Sequence, residues 1–404
     1  MSRTEIIAGS LVPGTRSVFF LGCFEERVTL YSQQVRALNL VDAILGEGLV
    51  RTDGKVAIVG GGAAGMTAAV AFAKAAPDLQ GVDIYEKGPR VMGFQHGSLR
   101  YLHPHSYDWP APGATDPVAG LPILNWRAGK ADGVRRHLHE QFDRVRRESV
   151  IQVRASTPVR SVHPHPLSQV RVDVDGSAGP GETYDAVILS IGFGLERSIG
   201  GDTPSYWSPS GLEASVLTPG AEVFVSGNGD GGLVDFMTAA LDAAFHEEVH
   251  DLLSGLDLGP AAAELDIIER EAWSPGASVD IHEAYQRRLM PLVPPAVHAA
   301  IGDRLRAGVK VRFHTNEPRL FKRTTAVLNR LGCALVLAAD RNRGHDNLST
   351  IVGREFVGEP PLTGPILIQG EAPFTPWRRF LRIGPDSAAN IKPFEKLAAA
   401  VRAG

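Results

Sequence analysis

Three groups of residues in this 404-residue chain have types and spacings that suit chemistry. The first is Gly60, Gly62 and Gly65 in "VGGGAAG", followed by Glu86 at the end of "VDIYE". Glycines at GxGxxG spacing let the backbone turn tightly and approach a pyrophosphate, while a following helix N-terminus offers N–H groups and partial positive charge. An acidic residue closing the next strand accepts hydrogen bonds from ribose hydroxyls and repels a 2′-phosphate. The second group is His103, His105, Tyr107, Asp108 and Trp109 in "LHPHSYDWP". Histidine titrates near neutral pH and suits proton transfer, with Asp108 placed to orient one of the two rings. The third is His246-Glu247-Glu248-Val249-His250, an HExxH string. On a helix its two histidines share a face and bind zinc with Glu247 as general base, and Glu269 or Glu271 stands near the spacing of a third ligand. Because the string lies beside Asp242 and Asp251, it reads as a solvated helix face and a zinc hydrolase is the remote alternative.

The elements that must position these residues can be read around them. "KVAIVG" is a β-branched run suited to a buried parallel strand, and "AAGMTAAVAFAKAA" is an alanine-rich helix. Strand, glycine turn, helix and second strand therefore stand in the order a βαβ nucleotide unit requires. Upstream, "SVFFLGCF" reads as a strand, and "RVTLYSQQVRALNLVDAILGEG" as a strand followed by a helix capped near Ser32. A second GxGxxG string, Gly227, Gly229 and Gly232 in "GNGDGG", is followed by a helical stripe and by helical or irregular sequence to about Ala307. A βαβ unit calls for its second strand within about thirty residues, so this string is not expected to open another one.

From Lys55 to Ala244 the chain resembles the glutathione-reductase-like FAD superfamily, which includes flavin monooxygenases and amine oxidases. The residues carrying the resemblance are Gly60, Gly62, Gly65 and Glu86, then "ETYDAVILSIGFG" (182–194), then "TPGAEVFVSGNGDGG" (218–232). Ser190-Ile191-Gly192 stands where the family has an Ala-Thr-Gly-like turn. The resemblance implies an α/β fold with a Rossmann-like FAD-binding domain, a parallel sheet with helices on both faces plus an extra β segment. It implies that Asp230 holds the ribityl chain, that "SVIQVRASTPVRSV" and "QVRVDVDG" lie over the adenine side, and that Arg90 or Arg100 meets a phosphate. His103 and His105 would then handle the proton that accompanies hydride transfer. Gly384 and Asp386 in "FLRIGPDSAANI" offer a second flavin-facing turn.

Composition bounds the rest. Hydrophobic residues make up 44% of the chain, enough for a large core, and 41 Lys and Arg against 45 Asp and Glu give a net charge of −4. No field favours nucleic acid or an anionic membrane, so the expected partner is a small molecule. The two cysteines are far apart and form no CxxC pair, which suits a reducing, cytoplasmic setting. The expected organisation is a strand-helix segment (1–54) packed on an FAD-binding domain (55–245), a mainly helical substrate or lid region (246–340), and a C-terminal segment (341–404) completing the site. The expected activity is FAD-dependent oxidation of a small organic molecule, first as a monooxygenase using NAD(P)H and O2. The alternatives are an oxidase or dehydrogenase reduced by its substrate, or a non-catalytic nucleotide-binding sensor.

Overall fold

The computed structural model describes the chain except residues 25–26, 166–168, 177–180, 195, 197–204, 209–211, 213–216, 243–245, 362, 383 and 404, and the side chains of 246 and 403. It opens with α1 (Arg3–Ser10), β1 (Val18–Phe20), α2 (Leu30–Gly46), β2 (Lys55–Val59), α3 (Ala63–Ala75) and β3 (Gly81–Tyr85). Helix α2 starts at a capping box in which Thr29 accepts from the Ser32 N–H and Ser32 accepts from the Thr29 N–H. The short β4 (Tyr101–Leu102) and β5 (Gly129–Lys130) precede α4 (Ala131–Arg147) and β6 (Ile151–Arg154). Next come β7 (Val159–His163), β8 (Val170–Val174) and β9 (Glu182–Tyr184), then β10 (Ala186–Leu189).

Strands β1, β10, β2, β3 and β6 form one parallel sheet in that order. Side chains alternate across a strand, so β2 serves two cores. Val56 and Ile58 join the core under α2, α3 and α4. Ala57 and Val59 join the core under the antiparallel β7-β8-β9 sheet. Because both faces are covered, β2 is apolar at every position after Lys55. The N-terminal segment is thus an integral edge of this sheet through β1.

The second half differs from the expectation at its glycine turn. After β11 (Glu222–Ser226) and α5 (Asp230–Ala240), the described residues form the α-helices α6 (His246–Ser254), α7 (Ala261–Trp273), α8 (Ile281–Ala284) and α9 (Pro295–Gly302). The chain then returns as β12 (Lys310–Thr315), α10 (Val327–Asn342), β13 (Leu348–Val352) and β14 (Arg378–Leu381), and ends in α11 (Ser387–Ile391) and α12 (Glu395–Ala403). Strands β13, β12, β11 and β14 form a second parallel sheet. "GNGDGG" therefore opens a second βαβ unit, contrary to the sequence reading, with α6–α9 inserted into its crossover. The region 246–340 is mainly helical and also contains β12, and β11 (222–226) pairs with strands at 310–315 and 378–381. Loop closure cost grows only with the logarithm of length, so a long insertion does not prevent β12 from pairing with β11. The C-terminal helices return to the first sheet, where Phe394 and Ala398 pack beside Val187 and Leu189. No described helix is long and apolar enough to cross a membrane.

Candidate functional site

The turn between β2 and α3 is fixed by its glycines. Gly60 adopts φ 107°, a conformation open to glycine at little cost, and its N–H donates to the Tyr85 carbonyl at 2.8 Å. A Cβ on Gly65 would lie 2.0 Å from the Gly60 carbonyl oxygen, so only glycine lets the helix pack this close to the turn. Gly62 caps α3 without a side-chain hydrogen bond, and a Cβ there would meet nothing within 4 Å. The first N–H groups of α3 are thus left for a ligand. Glu86 follows β3, its carboxylate accepting from the Gly61 N–H at 2.8 Å and the Gly88 N–H at 2.7 Å.

This turn opens into a cavity of about 1110 Å³ that runs between the two sheets. At one end it is lined by Glu86, Thr157 and Val159, under the antiparallel strands. Its middle passes Gly62, Met92 and Gly192, and its far end reaches His103, His250, Gly229 and Asn329. The C-terminal segment closes one side, where Asn390 donates to the carbonyls of Ile191 (2.6 Å) and Gly192 (3.0 Å) and accepts from Lys87 Nζ at 2.7 Å. Gly384 lines the cavity, whereas Asp386 caps α11 by accepting from the Ala389 N–H.

The residues of the histidine-rich loop separate. His103 is buried and lines the cavity, but its Nδ1 accepts from the His105 N–H at 3.2 Å, and a backbone hydrogen bond with Thr115 engages it further. Burial, with His250 and His105 beside it, brings its pKa down to about 4, so the ring is neutral at pH 7. His105 and Asp108 form the expected pair at 3.2 Å, with the other ring nitrogen of His105 at 3.2 Å from the Val118 carbonyl. Neither is among the residues that line the cavity. The sequence reading missed His250 as a buried ring. It is 8% exposed and stacks on His103 with ring centroids 4.5 Å apart. Its Nδ1 lies 3.4 Å from Asp251, its Nε2 has no hydrogen-bond partner among the described residues, and burial lowers its pKa.

The helix carrying HExxH thus presents His250 to the cavity and not to solvent. The side chain of His246 lies outside the described residues. Glu269 accepts from Tyr285 and pairs with Arg330 at 2.5 Å, and Glu271 pairs with Arg288 at 2.6 Å. Among the described residues no cluster of three His, Cys, Asp or Glu could hold a metal.

One further expectation is corrected. Arg100 does not face a phosphate, for its side chain is 1% exposed, pairs with Asp235 of α5 at 2.6 Å and stacks over Tyr206 at 4.3 Å. Asp235 in turn holds Arg382 at 2.6 Å, and Arg382 holds Glu196 at 3.0 Å. Burial alone would raise the Asp235 pKa, but the two guanidinium groups lower it overall. This alternating chain of charges ties the first half of the molecule (Arg100, Glu196) to the second (Asp235, Arg382). Asp230, for which the resemblance implied contact with a ribityl chain, starts α5 in the second unit and lines the same cavity. Its carboxylate oxygens are engaged by the Ala326 N–H (2.9 Å), by Asn329 Nδ2 (2.7 Å) and by the Tyr107 hydroxyl.

No protein-family model and no curated protein matches the chain. Solved structures do align with it. A thioredoxin reductase of T. acidophilum is 14% identical over 83% of this chain and 78% of its own, with a TM-score of 0.38. A cyclohexanone monooxygenase of Rhodococcus sp. Phi1, bound to NADP+, is 14% identical over 84% and 73% respectively, with a TM-score of 0.41. An ornithine N-hydroxylase of Kutzneria sp. 744 is 13% identical over 82% and 81%, with a TM-score of 0.39.

Proposed function

We propose that the protein is an FAD-dependent oxidoreductase acting on a small organic molecule. The observation that carries this reading is the uncapped N-terminus of α3 behind Gly62, opening with Glu86 into one long cavity. The residues fit the group. The space beside Gly62 admits a pyrophosphate to the α3 N–H groups, and Glu86 can exchange its bond to Gly61 for the ribose hydroxyls. The lining of the cavity includes the rings of His103 and His250 as well as Glu86 and Gly62, which gives an isoalloxazine somewhere to lie. When bound, FAD supplies hydride acceptance, and the protein supplies position and proton transfer.

Proton transfer falls to the far wall. His103 was the first candidate, with His105 and Asp108, but its Nδ1 is occupied by backbone and the other two stand outside the cavity. His250 has a ring nitrogen with no hydrogen-bond partner among the described residues, and the His103 ring is stacked on it with centroids 4.5 Å apart. Tyr101, pushed by burial to about 12, stays protonated beside both.

The test is the visible spectrum of the purified protein. Wild type is expected to be yellow with flavin in stoichiometric amount, and Glu86→Ala to lose most of it. A colourless wild type that takes up no FAD, or a Glu86→Ala variant with full flavin, would overturn the proposal. Electron entry then divides the monooxygenase reading, with NAD(P)H and O2, from reduction by the organic substrate itself. Rapid bleaching by NADPH in anaerobic stopped flow belongs to the first and its absence to the second.

A further inference from the structure

The second glycine turn repeats the first in its backbone. The Gly227 N–H donates to the His314 carbonyl at 2.8 Å, as Gly60 does to Tyr85. Gly227 has φ 110° against 107° for Gly60. A Cβ on Gly232 would lie 1.6 Å from the Gly227 carbonyl oxygen, the counterpart of Gly65 against Gly60. Gly229 caps α5 as Gly62 caps α3, without a side-chain bond and with open space where a Cβ would stand.

Two positions differ. The first helical residue is Ala63 in α3 and Asp230 in α5. The residue after the carbonyl that receives the glycine N–H is Glu86 in the first unit and Thr315 in the second. The α5 turn therefore lacks the acidic ribose partner and carries a carboxylate where a pyrophosphate would be received. That carboxylate is held in place by Ala326, Asn329 and Tyr107. Asn228 adds a hydrogen bond to the Arg319 carbonyl at 2.9 Å, so the segment entering α10 is drawn over the turn.

We infer that Asp230 is a specificity-determining residue that bars dinucleotides from the second turn and restricts the chain to one such ligand, at α3. The inference rests on the reading of the first turn given above. The N-terminus of α5 has its favourable negative charge from within the chain, and an approaching pyrophosphate meets like charge in a partly buried setting where screening is weak. The second unit then serves as a wall of the reaction chamber. A nicotinamide reductant reaches that chamber without being held at α5.

The experiment titrates NADP+ and NAD+ calorimetrically into the flavin-loaded enzyme. Asp230→Ala restores the residue found in α3, Asp230→Asn removes the charge while keeping the shape, and Tyr107→Phe removes one bond to the carboxylate while keeping the charge. Both Asp230 variants are expected to bind at least one of the two nucleotides at least tenfold more tightly than wild type, and Tyr107→Phe to match wild type. Low-micromolar binding to wild type, or Asp230 variants no tighter than wild type, overturns the inference. Flavin content is scored by absorbance in the same samples. A colourless preparation therefore speaks against the proposed FAD site, whereas unchanged nicotinamide affinity in a yellow one speaks against the role of Asp230.

Discussion

Replacing Asp235 by asparagine tests how the two halves of the molecule are held around the cavity. The Asp235 side chain is 0% exposed, and its carboxylate lies 2.6 Å from both Arg100 and Arg382, whose side chains are 1% and 3% exposed. With Glu196, the four groups balance two positive charges against two negative ones. The amide keeps the shape and removes one negative charge, leaving a net positive charge in a space closed to water. Breaking one member of a buried ionic set in this way costs about 3–5 kcal/mol. Against a typical stability of about 5–15 kcal/mol this is a large fraction. The assay is urea denaturation of the flavin-loaded protein followed by tryptophan and by flavin fluorescence. Glu196→Gln provides the comparison, because Glu196 is 13% exposed and bonds Arg382 alone among these groups. The expected order of losses is Asp235→Asn well above Glu196→Gln, with the flavin released at lower urea in the first. A loss under about 1 kcal/mol for Asp235→Asn would refute the view that this set clamps the halves together.

The glycine positions of the first turn separate binding from folding. Gly62→Val places a side chain in open space at an extended backbone, so it is expected to preserve the melting temperature of the flavin-free protein while abolishing flavin uptake. Gly65→Ala drives a Cβ to 2.0 Å from the Gly60 carbonyl oxygen and is expected to lower the melting temperature itself. Equal effects of the two on melting would contradict this assignment. Stability should also fall on acidification because of His103, whose pKa stands near 4 in the fold against 6.5 in the open chain. The unfolded chain binds the extra proton between these values, so this contribution is complete above about pH 6.5 and is lost as pH drops towards 4. At about 1.4 kcal/mol per unit it amounts to at most about 3.5 kcal/mol. Urea midpoints measured across that window should fall more steeply for wild type than for His103→Gln, and parallel slopes would count against it.

The sequence alone made the first dinucleotide turn legible because everything the turn needs is contiguous. From Lys55 to Glu86 the strand, the glycines, the helix and the closing carboxylate lie within one βαβ unit whose contacts are local. The alternation that puts Val56 and Ile58 on one face and Ala57 and Val59 on the other follows from the strand period, and the apolar run disclosed burial on both faces. Tertiary structure decided the remainder, because the partners involved are joined only by folding. Strand β11 finds β12 across the inserted helices α6–α9, so a window of local sequence could not show that "GNGDGG" begins a second unit. His250 looked polar beside Asp251, yet docking of α6 buries it against His103. Arg100 had the charge for a phosphate, and only the approach of α5 gave it Asp235 instead. Residue type and spacing specify what a short segment can bind, whereas the burial and pairing of a charge depend on which distant element packs against it.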